Sequence, residues 1–214
     1  MLKKLYVKLL YAVNGIKISK RTLSLFSEGV LTRVLKDIIR FYEICPAVKS
    51  RIEEVNILPF YNNETTYALF EWNGMASGGD LRLNEVFFTL GLQTMIEDES
   101  ERFNINKING FDAVIFHELG HVLDQYIIVK NTDDPYFFNY QIKNKKSEEA
   151  KKILTNLIPL NKKYIKKNIS WYACKNEREC FAELIAEIMT SSTSREPAKK
   201  LKDYLIKEGY FKKF

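Results

Sequence analysis

Both histidines of this 214-residue chain fall in one pentapeptide, His117-Glu118-Leu119-Gly120-His121. Four residues is just over one helical turn, so on a helix the two imidazoles project from the same face. The flanking Phe111 to Phe116 and Val122-Leu123 are largely apolar and free of proline. That pattern predicts a helix from about Gly110 to Val129. Two neutral imidazoles on one face make half of a tetrahedral zinc site, and Glu118 beside them can hold a metal-bound water. The plainer alternative is a pair of partly buried histidines on an amphipathic helix, and the scarcity of histidine in the chain weighs against it.

A catalytic zinc site needs a third protein ligand, with water in the fourth position. No further histidine exists, so the third ligand must be Asp, Glu or Cys. Asp124 shares the helix face, but it lies seven residues from His117, about 10 Å along a straight helix. Its side chain is too short to join both histidines around one ion, which leaves it a supporting or surface role. Cys174 and Cys180 could bind zinc as thiolates, although a better oxygen ligand lies between them, and both read as small packing residues. The segment Glu177 to Glu187 predicts a helix capped by Asn176, with Phe181, Leu184, Ile185 and Ile188 on its core face. Glu179 and Glu183 share another face. One of the two carboxylates could bind the metal while the other, one turn away, accepts a hydrogen bond from a ligand histidine. Glu177 and Glu187 are expected on the wet side of the helix.

Tyr172-Ala173-Cys174-Lys175-Asn176-Glu177-Arg178-Glu179-Cys180-Phe181-Ala182-Glu183 resembles the second signature of the anthrax lethal factor-like gluzincins. That clan includes the Pro-Pro endopeptidases of clostridia and the metallopeptidase domains of some phage head-morphogenesis proteins. Its pattern is a tyrosine, an asparagine four residues on, then E-x-F-A-E. His117 to Asp124 likewise fits the clan's first helix. The resemblance implies that His117, His121 and Glu179 are zinc ligands and Glu118 the general base. It implies that Tyr172 stabilises an oxyanion and that Glu183 supports a ligand histidine. It covers Ile108 to about Tyr126 and Ser170 to Met189, with a looser likeness through Gly74 to Asn84. Cys180 stands where the clan often has phenylalanine, which alters packing beside a ligand without removing a catalytic group.

Composition sets the frame for these motifs. Apolar residues make up 46% of the chain and aromatics 13%, as expected of a globular rather than a disordered protein. The formal charge of +6 comes from scattered lysines, denser at Lys143 to Lys146, Lys162-Lys163, Lys166-Lys167 and Lys212-Lys213. Such runs usually form a solvated face. No arginine-rich stripe with interleaved aromatics suggests a nucleic-acid partner. Three cysteines argue against a disulfide framework and fit a reducing compartment. Lys8 interrupts the apolar N-terminal run, a poor match to a signal peptide, and no run is long enough to span a membrane. A cytoplasmic or phage- and virion-associated setting is therefore expected, with no membrane partner; the sequence leaves oligomeric state open.

The elements that must position the motifs follow from periodicity. A helix is expected from about Ser27 to Tyr42, closed by Pro46. Strands are expected over Ile52 to Phe60, Thr65 to Trp72 and Asp80 to Asn84, with Asn73-Gly74 as a tight turn. Helices should also span Ser147 to Ile158, Glu177 to about Met189, and a last segment from near Pro197 to Gly209. The expected architecture is α+β and zincin-like: a small mixed sheet with an edge strand beside the active-site helix, then a mainly helical second half. It forms one domain over 1–214, with a helical part (1–50), the sheet and histidine helix (51–130), and a helical part carrying the third ligand (131–214). Peptide substrates often add as a strand to a sheet edge. The small residues Gly74, Met75, Ala76 and Ser77, continuing to Gly79, are the candidates for that contact.

These features predict a zinc-dependent metalloendopeptidase that hydrolyses a protein or peptide substrate. An assembly or interaction module of a phage or mobile element, holding zinc with little general proteolysis, is the second reading. A basic protein bound to nucleic acid or to an anionic surface is the third.

Overall fold

Serine and asparagine side chains cap five of the helices among the described residues and fix where they begin. The computed structural model describes residues 2–49, 51–59, 66–73, 78–88, 110–132, 134 and 147–214. The chain opens with helix α1 (Leu2–Val13), strand β1 (Lys17–Ile18), helix α2 (Lys20–Leu25) and helix α3 (Glu28–Ile44). The hydroxyls of Ser19 and Ser27 accept the Thr22 and Val30 N–H groups, satisfying donors that a first helical turn leaves orphaned. Helix α3 starts where its sequence pattern predicts and runs two residues beyond Tyr42 before Cys45 and Pro46. Within the helical part expected over 1–50, no individual element is assigned by the sequence before Ser27. In α1, apolar residues fall on both faces, so no single stripe betrays the helix.

Three strands follow, β2 (Ile52–Leu58), β3 (Ala68–Trp72) and β4 (Gly79–Asn84), each within or close to its expected segment. The sheet order is β1-β2-β4-β3. β1, β2 and β4 run parallel, and β3 pairs antiparallel with β4 at the sheet's end. A Cβ on Gly78 would stand 2.0 Å from the Arg51 carbonyl oxygen, and one on Gly79 would stand 2.3 Å from that of Glu71. These two glycines therefore admit the chain's own main chain at Arg51 and Glu71. Gly74, Met75, Ala76 and Ser77 lie outside the described residues. So do Phe60 and Thr65, the expected strand ends, and the Lys143 to Lys146 cluster.

The remaining α-helices among the described residues are α4 (Glu85–Phe88), α5 (Gly110–Asn131), α6 (Glu148–Leu157), α7 (Lys162–Asn168), α8 (Glu177–Thr190) and α9 (Glu196–Lys207). Ser147, Asn161 and Asn176 cap α6, α7 and α8. Pro197 sits in the first turn of α9, and Gly209 at φ 74° ends the segment, as its sequence predicts. Helix α7 was missed because its lysine pairs read as a charge cluster; Ile165 between them is buried.

The architecture is thus mixed α+β, mostly helical, around a small mixed sheet. Helix α5 sits at its centre, packed against α3, α8 and β3. Phe111, Ile115, Phe116, Leu119 and Leu123 are fully buried along it. The decisive contact is at Gly120, where a Cβ would lie 2.8 Å from the Ala182 Cα and 3.2 Å from the Ile185 Cβ. Only a residue without a side chain lets α5 and α8 cross this closely, and that crossing sets the distance between their functional faces. Cys45, Cys174 and Cys180 are all free thiols, two of them buried. Among the described residues, no helix is long and apolar enough to cross a membrane.

Candidate metal centre

The α5–α8 crossing brings His117 together with residues 62 and 66 positions away in sequence. Asn176 accepts the Glu179 N–H at 3.0 Å, which places Glu179 in the first turn of α8, where the helix dipole favours a carboxylate. Glu179 Oε2 lies 3.0 Å from His117 Nε2 and 3.4 Å from His121 Nε2. Zinc bonds of about 2.0–2.1 Å at tetrahedral angles put neighbouring ligand atoms roughly 3.3 Å apart. The three donor atoms all lie within 4.8 Å of one another, so this group could hold a metal ion. The imidazole planes meet at 85°, converging from two sides.

His117 is fixed from behind. Its Nδ1 lies 2.9 Å from Glu183 Oε1, one turn along α8 from Glu179. Only the tautomer with the proton on Nδ1 leaves Nε2 as an electron-pair donor, and Glu183 is placed to accept that proton's hydrogen bond. Burial alone would lower the His117 pKa, but hydrogen bonds to Glu179 and Glu183 and their charges raise it well above the usual histidine range. Burial would raise Glu179, yet the two imidazoles outweigh it and hold its carboxyl far below the usual carboxylate range. The cluster thus keeps an anionic oxygen facing two nitrogens. On the other ligand, His121 Nδ1 is buried with no hydrogen-bond partner among the described residues. Gln125 Oε1, one turn on, is in the same condition.

Glu118 is 6% exposed and projects beside these ligands. Burial pushes its carboxyl upward; the charges of His121 and His117 pull it down in part, and a hydrogen bond from the Phe70 main chain does the same. The net upward direction is what a general base near neutral pH requires. Phe70 belongs to β3, so the end strand of the sheet lies directly against the histidine helix.

Tyr172 opens a short 3-10 turn, Tyr172–Cys174, just before α8. Its ring centroid is 5.6 Å from that of His117, and the Lys175 ammonium lies over the ring, 3.6 Å from its centroid. Burial raises the Tyr172 pKa, and the charges of Glu179, Glu118 and Glu183 raise it further, so the hydroxyl keeps its proton and stays a donor. A cavity of about 370 Å³ runs between Tyr67 and Ala68 on one side and Trp171, Tyr172 and Lys175 on the other, with His117 and Glu118 in its wall. Tyr67, Trp171 and Lys175 carried no signal in the sequence, since none sits in a spacing that any site chemistry demands.

Of the supporting and surface roles expected for Asp124, the structure removes the surface one, and for Glu187 the expectation changes. Asp124 is buried, accepting hydrogen bonds from Ser147 Oγ at 2.6 Å and Arg178 Nε at 3.0 Å. It ties α5 to α8 and to the cap of α6. Glu187, expected on a wet face, is 2% exposed and accepts the Arg195 main-chain N–H and guanidinium.

No protein-family model, curated protein or solved structure matches the chain.

Proposed function

We propose that the chain is a zinc-dependent metalloendopeptidase with a zincin-like fold of the lethal factor-like gluzincin type, acting on a protein substrate. The observation that supports it best is the placing of Glu179 Oε2 at 3.0 and 3.4 Å from two histidine Nε2 atoms. The same cleft holds a buried glutamate and a tyrosine hydroxyl. A metal-holding role alone needs neither of these. His117, His121 and Glu179 would hold zinc, with Glu183 orienting His117.

Bound zinc supplies Lewis acidity toward a peptide carbonyl and makes a neighbouring water acidic enough to react near neutral pH. Glu118 takes a proton from the attacking water and gives it to the amine nitrogen as the C–N bond breaks. The Tyr172 hydroxyl donates a hydrogen bond to the oxygen on which negative charge develops. Main-chain groups along β3 offer an extended peptide a partner strand beside Glu118. The aromatic walls of Tyr67, Trp171 and Tyr172 favour an apolar substrate side chain in the cavity.

The test is a mass-spectrometric scan of a proteome-derived peptide library with zinc-loaded protein, comparing wild type with Glu118→Ala. Cuts made by the wild type and absent with the variant are expected, and they define the subsite preferences. Stoichiometric zinc in both proteins with no difference in cleavage would overturn the peptidase reading and favour a zinc-holding assembly module.

A further inference from the structure

Among the described residues, six large hydrophobic side chains are exposed, and four of them, Leu5, Tyr6, Leu9 and Val13, lie on α1. At about 100° per residue these four fall within an arc of roughly 100°. The opposite side of the helix is anchored: Val7 and Tyr11 are buried, and the Tyr11 hydroxyl donates to the Leu31 carbonyl of α3 at 2.8 Å. That bond fixes the rotation of α1 and turns the apolar arc outward. A contiguous apolar strip held facing water by its own anchor signals a contact.

The charges beside the strip indicate what it contacts. Lys4 and Lys8 are exposed and follow one another along its flank, and the helix LKKLYVKLLYAV contains no carboxylate. Lys17, exposed in β1, adds a further cation on the strand that packs against α1. An apolar arc with bordering lysines is the pattern of a helix lying in a membrane interface, its leucines among acyl chains and its ammonium groups at anionic headgroups. A second copy fits less well. Two such helices face to face would bring lysines together with no acidic residue on either to answer them.

We infer that α1 is a peripheral docking surface for anionic phospholipid, separate from the metal centre. Attachment there departs from the expectation of no membrane partner; it needs no spanning segment, and among the described residues no helix is long and apolar enough to be one. Helix α1 packs on β1, at the sheet end opposite β3, about 14 Å across three strand spacings. The cleft beside β3 therefore stays clear of the lipid.

The test is co-sedimentation with vesicles of phosphatidylcholine alone and of phosphatidylcholine mixed with phosphatidylglycerol, at low and physiological salt. The full chain is compared with a Leu5→Ser/Leu9→Ser variant and with a Lys4→Gln/Lys8→Gln variant. All these side chains are exposed, so melting temperatures should match wild type. The expected result is binding to the mixed vesicles, weakened at least about tenfold by the serine pair and roughly fivefold per lysine removed. Failure of the wild type to sediment with mixed vesicles, or equal binding by the serine variant, overturns the inference. So does a dimer in analytical ultracentrifugation without lipid that the serine pair dissociates, since a second copy would then cover the strip.

Discussion

Glu183 reaches across the α5–α8 crossing to His117, its Oε1 2.9 Å from the ring Nδ1. The contact decides which nitrogen of His117 faces Glu179, and so whether the three-atom group can accept a cation. Carboxylates in this position typically change metal affinity by about 10–100-fold when removed. Glu183→Ala should therefore weaken zinc binding by about that factor in competition with a chelating dye. Glu183→Gln, which keeps an acceptor oxygen but not the charge, should fall between the two. Unchanged zinc affinity in Glu183→Ala would show that His117 is oriented by packing alone.

Gly120 is a geometric requirement of the same crossing. With the Ala182 Cα at 2.8 Å from where a Cβ would stand, even Gly120→Ala must push α8 away, and Gly120→Val must push it further. Overpacking of this kind costs about 1–3 kcal/mol. For a chain of this length that is a fall in Tm of about 2–4 °C per kcal/mol. The displacement also carries Glu179 and Glu183 away from His117, so zinc affinity should fall together with Tm, and more in valine than in alanine. A Gly120→Val protein with wild-type zinc affinity would mean that the placing of Glu179 and Glu183 against His117 does not depend on the close crossing this glycine permits.

The site was legible in the sequence to the extent that its rules are local. The one-turn spacing of His117 and His121, the cap at Asn176 and the one-turn spacing of Glu179 and Glu183 are each set within a few residues. What stayed hidden depends on partners far along the chain. Asp124 reads as a leftover polar residue until Arg178, 54 positions away, is placed against it. Glu187 reads as a solvent-facing carboxylate until Arg195 folds back over it. The fold followed the same division. Strands β2 to β4 and helix α3 carry clear periodicity and α5 a largely apolar run free of proline, while two-residue β1 is too short to carry a pattern and α1 is apolar on both faces.

Asp37 on α3 provides a pH test remote from the metal centre. It is 8% exposed, and its carboxyl is raised to about 8 by burial and by the neighbouring Asp112, against the pull of Arg33 and Arg40. A carboxyl with a folded pKa above its unfolded value holds its proton in the folded state while the unfolded chain releases it. Its stabilising effect is complete below about pH 4 and is lost progressively as pH rises toward 8, at up to about 1.4 kcal/mol per pH unit. Asp37→Asn cannot ionise and should escape that loss. The variant should match wild type near pH 4 and melt at least about 3 °C higher at pH 8. Parallel Tm-versus-pH curves for the two proteins would remove Asp37 as the source of the slope.

Tyr172 separates binding from chemistry in the proposed reaction. Its ring packs against His117 and under the Lys175 ammonium, so Tyr172→Phe keeps both contacts and removes only the hydroxyl. That hydroxyl has no role in holding the cation, so zinc affinity should stay at the wild-type value. A donor aimed at a developing oxyanion acts only as the charge appears, so its loss should lower kcat by about 100- to 1000-fold and leave KM nearly unchanged. The comparison requires a substrate from the library scan and zinc-saturated enzyme on both sides. Loss of zinc in Tyr172→Phe would make the tyrosine a support for the ligands, and a raised KM with unchanged kcat would make it part of the substrate-binding wall. Only the split between unchanged zinc affinity and reduced kcat fits a donor to the transition state.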